Sequence, residues 1–278
     1  MQSLRRLTQT RSALCITKRR FTVLSQYPPD FAFFPTFLDS SEQHTLLAAC
    51  LKKLDLVENR TMRKRRQEYI ASRPPLPLDT KDSGGLMNCF LPDECYHFED
   101  GHFDGVIKRY REMHVSSWDR VDSPALSATL KRLRSLFPTD AETQTHILHL
   151  ASDGEIWPHV DNVGASGSWI MGISLGDQRI LRLDAATPQD GAASVYEIPL
   201  PSGSVYIQRD STRYEYKHSI IRTDTSRPPQ QRLSVMIRVS FVKLCSIYNS
   251  DVSHRIGGLE IASHPHCSWT SCTASVVT

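Results

Sequence analysis

The second half of this chain constrains its fold more than any other feature. From His146 onward, short runs rich in branched aliphatic and aromatic residues alternate with turn dipeptides, and no helical period interrupts them. The runs are His146–Ser152, Ile156–Asp161, Ser168–Leu175, Arg179–Asp184, Val195–Leu200, Ser204–Arg209, Tyr214–Ile221 and Arg232–Leu244. Asp153-Gly154, Gly176-Asp177, Asp190-Gly191 and Ser202-Gly203 punctuate them. Many short strands in one domain must protect their edges, and wrapping two sheets together does so. Residues 146–248 are therefore expected to form a double-stranded β-helix, or jelly roll.

Residues 30–145 read differently. Phe34 to Leu54 predicts a leading segment and a helix, capped by Ser40 or Ser41, with Leu46, Leu47, Cys50, Leu51 and Leu54 forming its apolar stripe. Ser123 to Phe137 predicts another helix, with Leu126, Leu130, Leu133 and Leu136 at three- and four-residue steps, and Phe103 to Tyr110 a shorter one. The basic run Arg60–Arg66 precedes a Pro/Asp/Gly-rich stretch, 73–93, expected to be a surface loop or insertion. The fold class expected is α+β, with N-terminal helices packed on one sheet of the jelly roll. Residues 249–278 lose all periodicity and are expected to be a disordered tail.

Two segments carry chemistry. In Glu155-Ile-Trp-Pro-His-Val-Asp161, His159 and Asp161 are two apart on an expected strand, so both side chains leave one face. One imidazole and one carboxylate, joined by a later His, make the facial triad of non-haem Fe(II) oxygenases, which leaves metal positions open for other ligands. A rival pair, His102 and Asp104, falls in the segment read as helical, where residues two apart diverge, and is expected to be packing or surface chemistry. The second segment is Tyr214-Glu-Tyr-Lys-His218 followed by Arg232-Leu-Ser-Val-Met-Ile-Arg238. On a strand from Arg232, residues 232, 234, 236 and 238 share a face while Leu233, Val235, Ile237 and Val239 fill the other. Two guanidinium groups thus point into one space with no acid on their own strand. A bound dicarboxylate would neutralise them; a structural ion pair with a distant acid stays open, more so for Arg238.

The order His-x-Asp, Tyr206, His218, Arg-x5-Arg resembles the AlkB family of 2-oxoglutarate dioxygenases, its mitochondrial branch above all. Pro158-His-Val-Asp161, Gly203-Ser-Val-Tyr206, Arg213-Tyr-Glu-Tyr-Lys-His218 and Arg232-x5-Arg238 carry the resemblance, with Tyr96 to Asp104 and Phe37-Leu-Asp-Ser upstream. It covers about Phe34 to Arg238. It implies Fe(II) on His159, Asp161 and His218, 2-oxoglutarate contacted by Tyr206, Arg232 and Arg238, and dioxygen as oxidant. Where nucleic-acid repair members carry Asn-x-Tyr before the metal His, this chain has Leu148 and Leu150. Where they carry Asn and Thr within the arginine motif, it has Ser234 and Met236. These departures turn the expectation toward a protein or small-molecule substrate and away from nucleobase demethylation. The resemblance also implies links to fatty-acid metabolism and programmed necrosis.

Composition serves mainly to locate the protein. Residues 1–29 hold Arg5, Arg6, Arg11, Lys18, Arg19 and Arg20 and no acid, the pattern of a mitochondrial transit peptide, and what remains is mildly acidic. The basic pI therefore does not argue for nucleic acid, and a matrix location is expected. No apolar run is long enough to span a bilayer. Seven scattered cysteines without Cys-x-x-Cys suit a reducing compartment, and His264, His266, Cys267 and Cys272 are expected to belong to a solvated tail rather than a zinc clip. Two other functions compete. One is oxidative demethylation of mitochondrial RNA, with Arg60–Arg66 meeting phosphates. The other is a catalytically idle metal-binding interaction module, against which Arg232 argues, because a purely structural metal needs no co-substrate anchor.

Overall fold

The computed structural model describes residues 26–72, 85–164, 166–187, 195–222 and 226–240. Most of the expected transit peptide, residues 73–84 of the insertion and the whole C-terminal tail lie outside the described residues. In chain order the elements are β1 (Phe31–Phe34), α1 (Ser40–Val57), α2 (Arg60–Ser72), β2 (Glu99–Gly101), β3 (Ile107–Val115), α3 (Pro124–Arg134) and β4 (Thr143–His159). Then come β5 (Trp169–Gly176), β6 (Arg179–Ala185), β7 (Val195–Leu200), β8 (Val205–Arg209), α4 (Asp210–Glu215), β9 (Tyr216–Ile221) and β10 (Arg232–Val239).

The strands form one curled antiparallel sheet in the order β1-β8-β5-β10-β4-β9-β6-β7, with β3 also on β4 and β2 on β3. Two leaves result, a larger one of β1, β8, β5, β10, β4 and β3 and a smaller one of the end of β4 with β9, β6 and β7. This is the double-stranded β-helix. Side-chain alternation sorts β10 as its sequence requires: Leu233, Val235 and Ile237 pack with Met171, Ile173, Leu175 and the buried stripes of α1 and α3. The opposite face belongs to a second cluster between the leaves, where Leu148, Leu150 and Tyr206 of the larger leaf meet Leu181, Leu183, Ile198 and Ile220 of the smaller.

Three local expectations are corrected. The cap of α1 is Asp39: its carboxylate accepts the Glu42 backbone N–H at 2.9 Å, and Glu42 accepts the Asp39 N–H at 3.0 Å. Asp-x-x-Glu satisfies two orphan amides reciprocally, while Gln43, which could have boxed with Ser40, is spent on the Leu38 carbonyl and Ser202. Phe103 to Tyr110 is not helical. Gly105 takes φ +72°, Asp104 accepts the Val106 N–H at 2.9 Å to close a turn, and β3 follows, paired along β4. The two runs expected at His146–Ser152 and Ile156–Asp161 are one strand, β4. Its centre passes so close to β3 that a Cβ on Gly154 would lie 2.6 Å from the Arg109 carbonyl oxygen, so glycine replaces the expected turn.

The helices are tied to the back of the larger leaf by buried charge. Arg111 Nη1 donates to Asp55 and Glu58 at 2.9 Å each, and its Nε donates to His149 Nδ1 at 2.9 Å. Arg66 pairs with the same two acids, and Tyr96 lies beneath both guanidinium groups at 5.4 and 4.1 Å. Since Nδ1 accepts, Nε2–H of His149 donates to Gln231 at 2.9 Å, and burial holds the imidazole neutral, its pKa well below the usual range.

Replacing Gly154 by alanine is expected to cost about 1–3 kcal/mol of stability through backbone overlap. Gly101→Ala, whose nearest neighbour would stand 4.0 Å away, should stay within about 0.5 kcal/mol. Urea unfolding of the two variants compares them directly.

Candidate metal centre

β4 and β9 come together at the cross-strand pair His159↔His218, after a register shift beyond Ile156↔Ile220. Pairing aligns the two imidazoles, whose centroids are 4.1 Å apart. β4 ends at His159, and Asp161 lies two residues beyond it, in an irregular segment that Arg213 fixes. This guanidinium is 2% exposed and donates to the Asp161 carbonyl at 3.1 Å, the Asn162 carbonyl at 3.4 Å and Ser166 Oγ at 3.0 Å. Arg213 sits on α4, immediately before the strand that carries His218, so one side chain links the two segments bearing the candidate ligands.

The result is a tight group. Asp161 Oδ1 is 3.5 Å from His159 Nε2 and 3.8 Å from His218 Nε2, and the three ligand atoms lie within 4.8 Å of one another. A first-row cation, with bonds of about 2.0–2.2 Å, could touch all three. Second contacts aim them. His159 Nδ1 is 2.8 Å from the Trp157 carbonyl, which demands a proton on Nδ1 and leaves Nε2 as the nitrogen that would meet a cation once its own proton is lost. Arg238 takes the other carboxylate oxygen, Nε and Nη2 both 3.3 Å from Oδ2, and so turns Oδ1 toward the imidazoles.

Electrostatics follow from this packing. Burial would raise the Asp161 pKa, but the His159 bond and the charges of His218 and Arg238 outweigh it, and the carboxyl is held far below the usual range. Burial pushes the His218 pKa down to about 3, with Asp161 only partly opposing. For His159, burial is outweighed by the bonds to Asp161 and the Trp157 carbonyl, and its pKa is raised. A negative carboxylate and a neutral His218 are the protonation states a cation needs.

Tyr206 and Arg232 lie on the same inner face. The Tyr206 ring crosses β5 at Gly172, where a Cβ would stand 2.3 Å from the ring, and its hydroxyl is 3.7 Å from Met236 Sδ. Arg232 is 1% exposed, and its Nε donates to Ser174 Oγ at 3.2 Å. Among the described residues it forms no ion pair, and burial lowers its pKa to about 10. An uncompensated buried guanidinium fits an anionic ligand. Arg238, the other arginine expected at the co-substrate, has its recorded partner in Asp161. The rival pair His102 and Asp104 is in a turn rather than a helix, and the Asp104 charge acts on His159.

Comparison with known proteins now decides the family. The sequence model of the 2OG-Fe(II) oxygenase superfamily matches residues 30–242, which include every group described above. The chain belongs to that superfamily. Within it, the oxygenase is 34% identical over 182 residues to a bovine protein named alpha-ketoglutarate-dependent dioxygenase alkB homolog 7, mitochondrial, covering 64% of this chain and 79% of that one. It is 35% identical over 151 residues to the mouse protein of the same name, covering 51% and 65%. It is thus an AlkB-family, 2-oxoglutarate-dependent dioxygenase, and its family uses Fe(II) as cofactor with 2-oxoglutarate and dioxygen as co-substrates.

Arg213 was quoted in the sequence only as part of a motif. Its role left no local signal, because the carbonyls it holds lie some fifty residues earlier in the chain. Arg213→Lys and Arg213→Met in the oxygenase are expected to weaken Co(II) binding by about 10–100-fold, the usual effect of losing a group that orients a ligand. Spectroscopic titration checks this, with thermal unfolding of the same samples separating lost metal affinity from lost fold.

Proposed function

We propose that this oxygenase holds Fe(II) on His159, Asp161 and His218 and 2-oxoglutarate against Tyr206 and Arg232, with Arg238 at the metal end of the same strand face, and that it hydroxylates a protein side chain or small metabolite in the mitochondrial matrix. The observation that carries the co-substrate assignment is Arg232, a buried guanidinium whose side-chain partner among the described residues is one hydroxyl. Two imidazoles and a carboxylate suit Fe(II), and their clustering on one side leaves positions open to the 2-oxo acid and dioxygen. When bound, Fe(II) and 2-oxoglutarate supply the oxidising chemistry, coupling decarboxylation of the 2-oxo acid to succinate and CO2 with insertion of one oxygen atom into a substrate C–H bond.

The protein's own residues perform the remaining tasks. Arg232 and the Tyr206 hydroxyl bind and orient the distal carboxylate, in surroundings dry enough to strengthen charge-assisted bonds. Leu148, Leu150, Ile220 and Leu183 keep water from the inner wall. Arg213 and Arg238 hold the Asp161 turn and carboxylate still. The mitochondrial assignment is supported by the acid-free, Arg-rich start and by the names of the relatives. Links to fatty-acid metabolism and necrosis rest on family resemblance.

Demethylation of mitochondrial RNA is the competing reading, and one observation weakens it. Arg66 of the basic run is buried against Asp55 and Glu58, so the run is partly structural. Salt-sensitive RNA binding that vanishes on neutralising Arg63, Lys64 and Arg65 would restore it.

Purified protein with Fe(II) is expected to convert 2-oxoglutarate to succinate. His159→Ala should abolish metal binding. Arg232→Ala should weaken 2-oxoglutarate by at least about thirtyfold, since truncating one partner of a buried charge pair costs about 2–5 kcal/mol, while Co(II) affinity is retained. Metal binding with no 2-oxoglutarate affinity in the wild-type protein would instead point to the idle interaction module.

A further inference from the structure

On the inner face of β3, Tyr110, Glu112 and His114 alternate, and Tyr110 belongs to the cluster between the leaves. Glu112 lies opposite Leu148 and His114 opposite His146, whose ring it stacks on at 4.5 Å. Each Glu112 oxygen faces one imidazole: Oε2 is 3.0 Å from His146 Nε2 and Oε1 is 3.9 Å from His102 Nε2. His102 in turn contacts Asp104 at 2.8 Å. Both ends of this row approach the metal centre: the Trp157 N–H, two residues before His159, donates to the Val106 carbonyl at 2.9 Å beside the Asp104 turn, and His146 is paired with Met236 of β10, two residues before Arg238, which holds Asp161.

The row is neither spent internally nor a second metal site. Among the described residues, His159, Asp161 and His218 are the group whose ligand atoms gather within 4.8 Å. A carboxylate offers about four lone-pair directions, and the two imidazoles take at most two of those on Glu112. The Glu112 side chain is 28% exposed and that of Asp104 42%, so both remain partly open to solvent. Burial opposes the Glu112 charge, but the bond and charge of His146 and the charges of His102 and His114 outweigh it and keep the group ionised. A neutral substrate sealing this space would strip water from two carboxylates without return, and an anion would be repelled.

We propose that Glu112, seconded by Asp104, is the substrate-selecting carboxylate of this oxygenase, and that it selects an ammonium or guanidinium carried on an aliphatic stem. The inference deepens the reading of a protein or metabolite substrate and rests on it. The cation anchors at β3 and the β2–β3 turn, which leaves carbon of the stem to face the metal centre. A lysine or arginine side chain and a free alkylamine share this chemistry.

The test uses the full chain loaded with Co(II), which binds without turnover. N-acetyl-lysine methylamide, N-acetyl-arginine methylamide, N-acetyl-norleucine methylamide and n-butylamine are titrated, with paramagnetic broadening of probe protons as readout. At least one cationic probe is expected to bind about tenfold or more tighter than the norleucine probe, the scale of one charge-assisted hydrogen bond. Glu112→Gln should remove most of that preference, Asp104→Asn part of it, and Glu112→Asp should retain its sign. Binding of n-butylamine would mark free amines as sufficient; binding of the peptide-like probes alone would mark a protein side chain. Equal or tighter binding of the norleucine probe, or a preference that survives both neutral variants, would overturn the proposal. Failure of the wild-type protein to bind Co(II) would sink the metal centre alone, because calorimetry on the metal-free protein still reads the charge preference.

Discussion

Strand β4 changes hydrogen-bonding partners along its length, and the candidate centre lies where that change is complete. Its first half is sandwiched between β10 and β3, from Thr143↔Val239 to Leu150↔Arg232. Its end pairs with β9, closing at His159↔His218. Because one continuous backbone serves both leaves, the arginine face of β10 and the imidazole of β9 are held in fixed relation to His159. A hinge between two separate strands would not give that rigidity. Gly154 permits the close passage of β3 at the crossing, so a missing side chain in mid-strand bears on the geometry of ligands several residues away.

Charge in the centre is arranged around Asp161. One of its oxygens faces two imidazoles and the other faces a guanidinium, while a second guanidinium grips its backbone carbonyl. Without a cation, these groups compete for the carboxylate. A cation bound here would meet a carboxylate already held by Arg238 and a backbone already held by Arg213. The arginines thus supply pre-organisation, which is the part of metal affinity that a list of ligands leaves out. Arg232 occupies the other extreme, deep between the leaves with a hydroxyl where an acid would ordinarily stand.

The jelly roll was legible because strand alternation and turn residues are local signals: Leu233, Val235 and Ile237 announced one face of β10 and Arg232 and Arg238 the other. His159, Asp161 and His218 were legible from spacing and chemistry together. Asp161 lies beyond the strand end, where a clamp from α4 holds its backbone. Clamps of this kind join residues some fifty positions apart and leave no periodic trace. Phe103 to Tyr110 misled because Val106, Ile107 and Tyr110 mimic a helical stripe, while the decisive facts are the left-handed Gly105 and eight pairing partners of β3 in β4. The fate of Arg66 was invisible for the same reason: its acids are close in sequence, but its burial depends on Arg111 and Tyr96 arriving from elsewhere.

β3 shows how the fold keeps site and scaffold independent on one strand. Arg111 points to the helices and spends its charge on Asp55, Glu58 and His149. Tyr110 and Glu112, its neighbours, point into the space between the leaves and toward the centre. A period of two separates the faces completely, so inner residues can change with the substrate while the outer ion-pair network keeps α1 and α2 docked. The same argument explains Leu148 and Leu150 opposite them on β4: they tailor the inner wall, whereas His149 between them is committed to the back of the sheet.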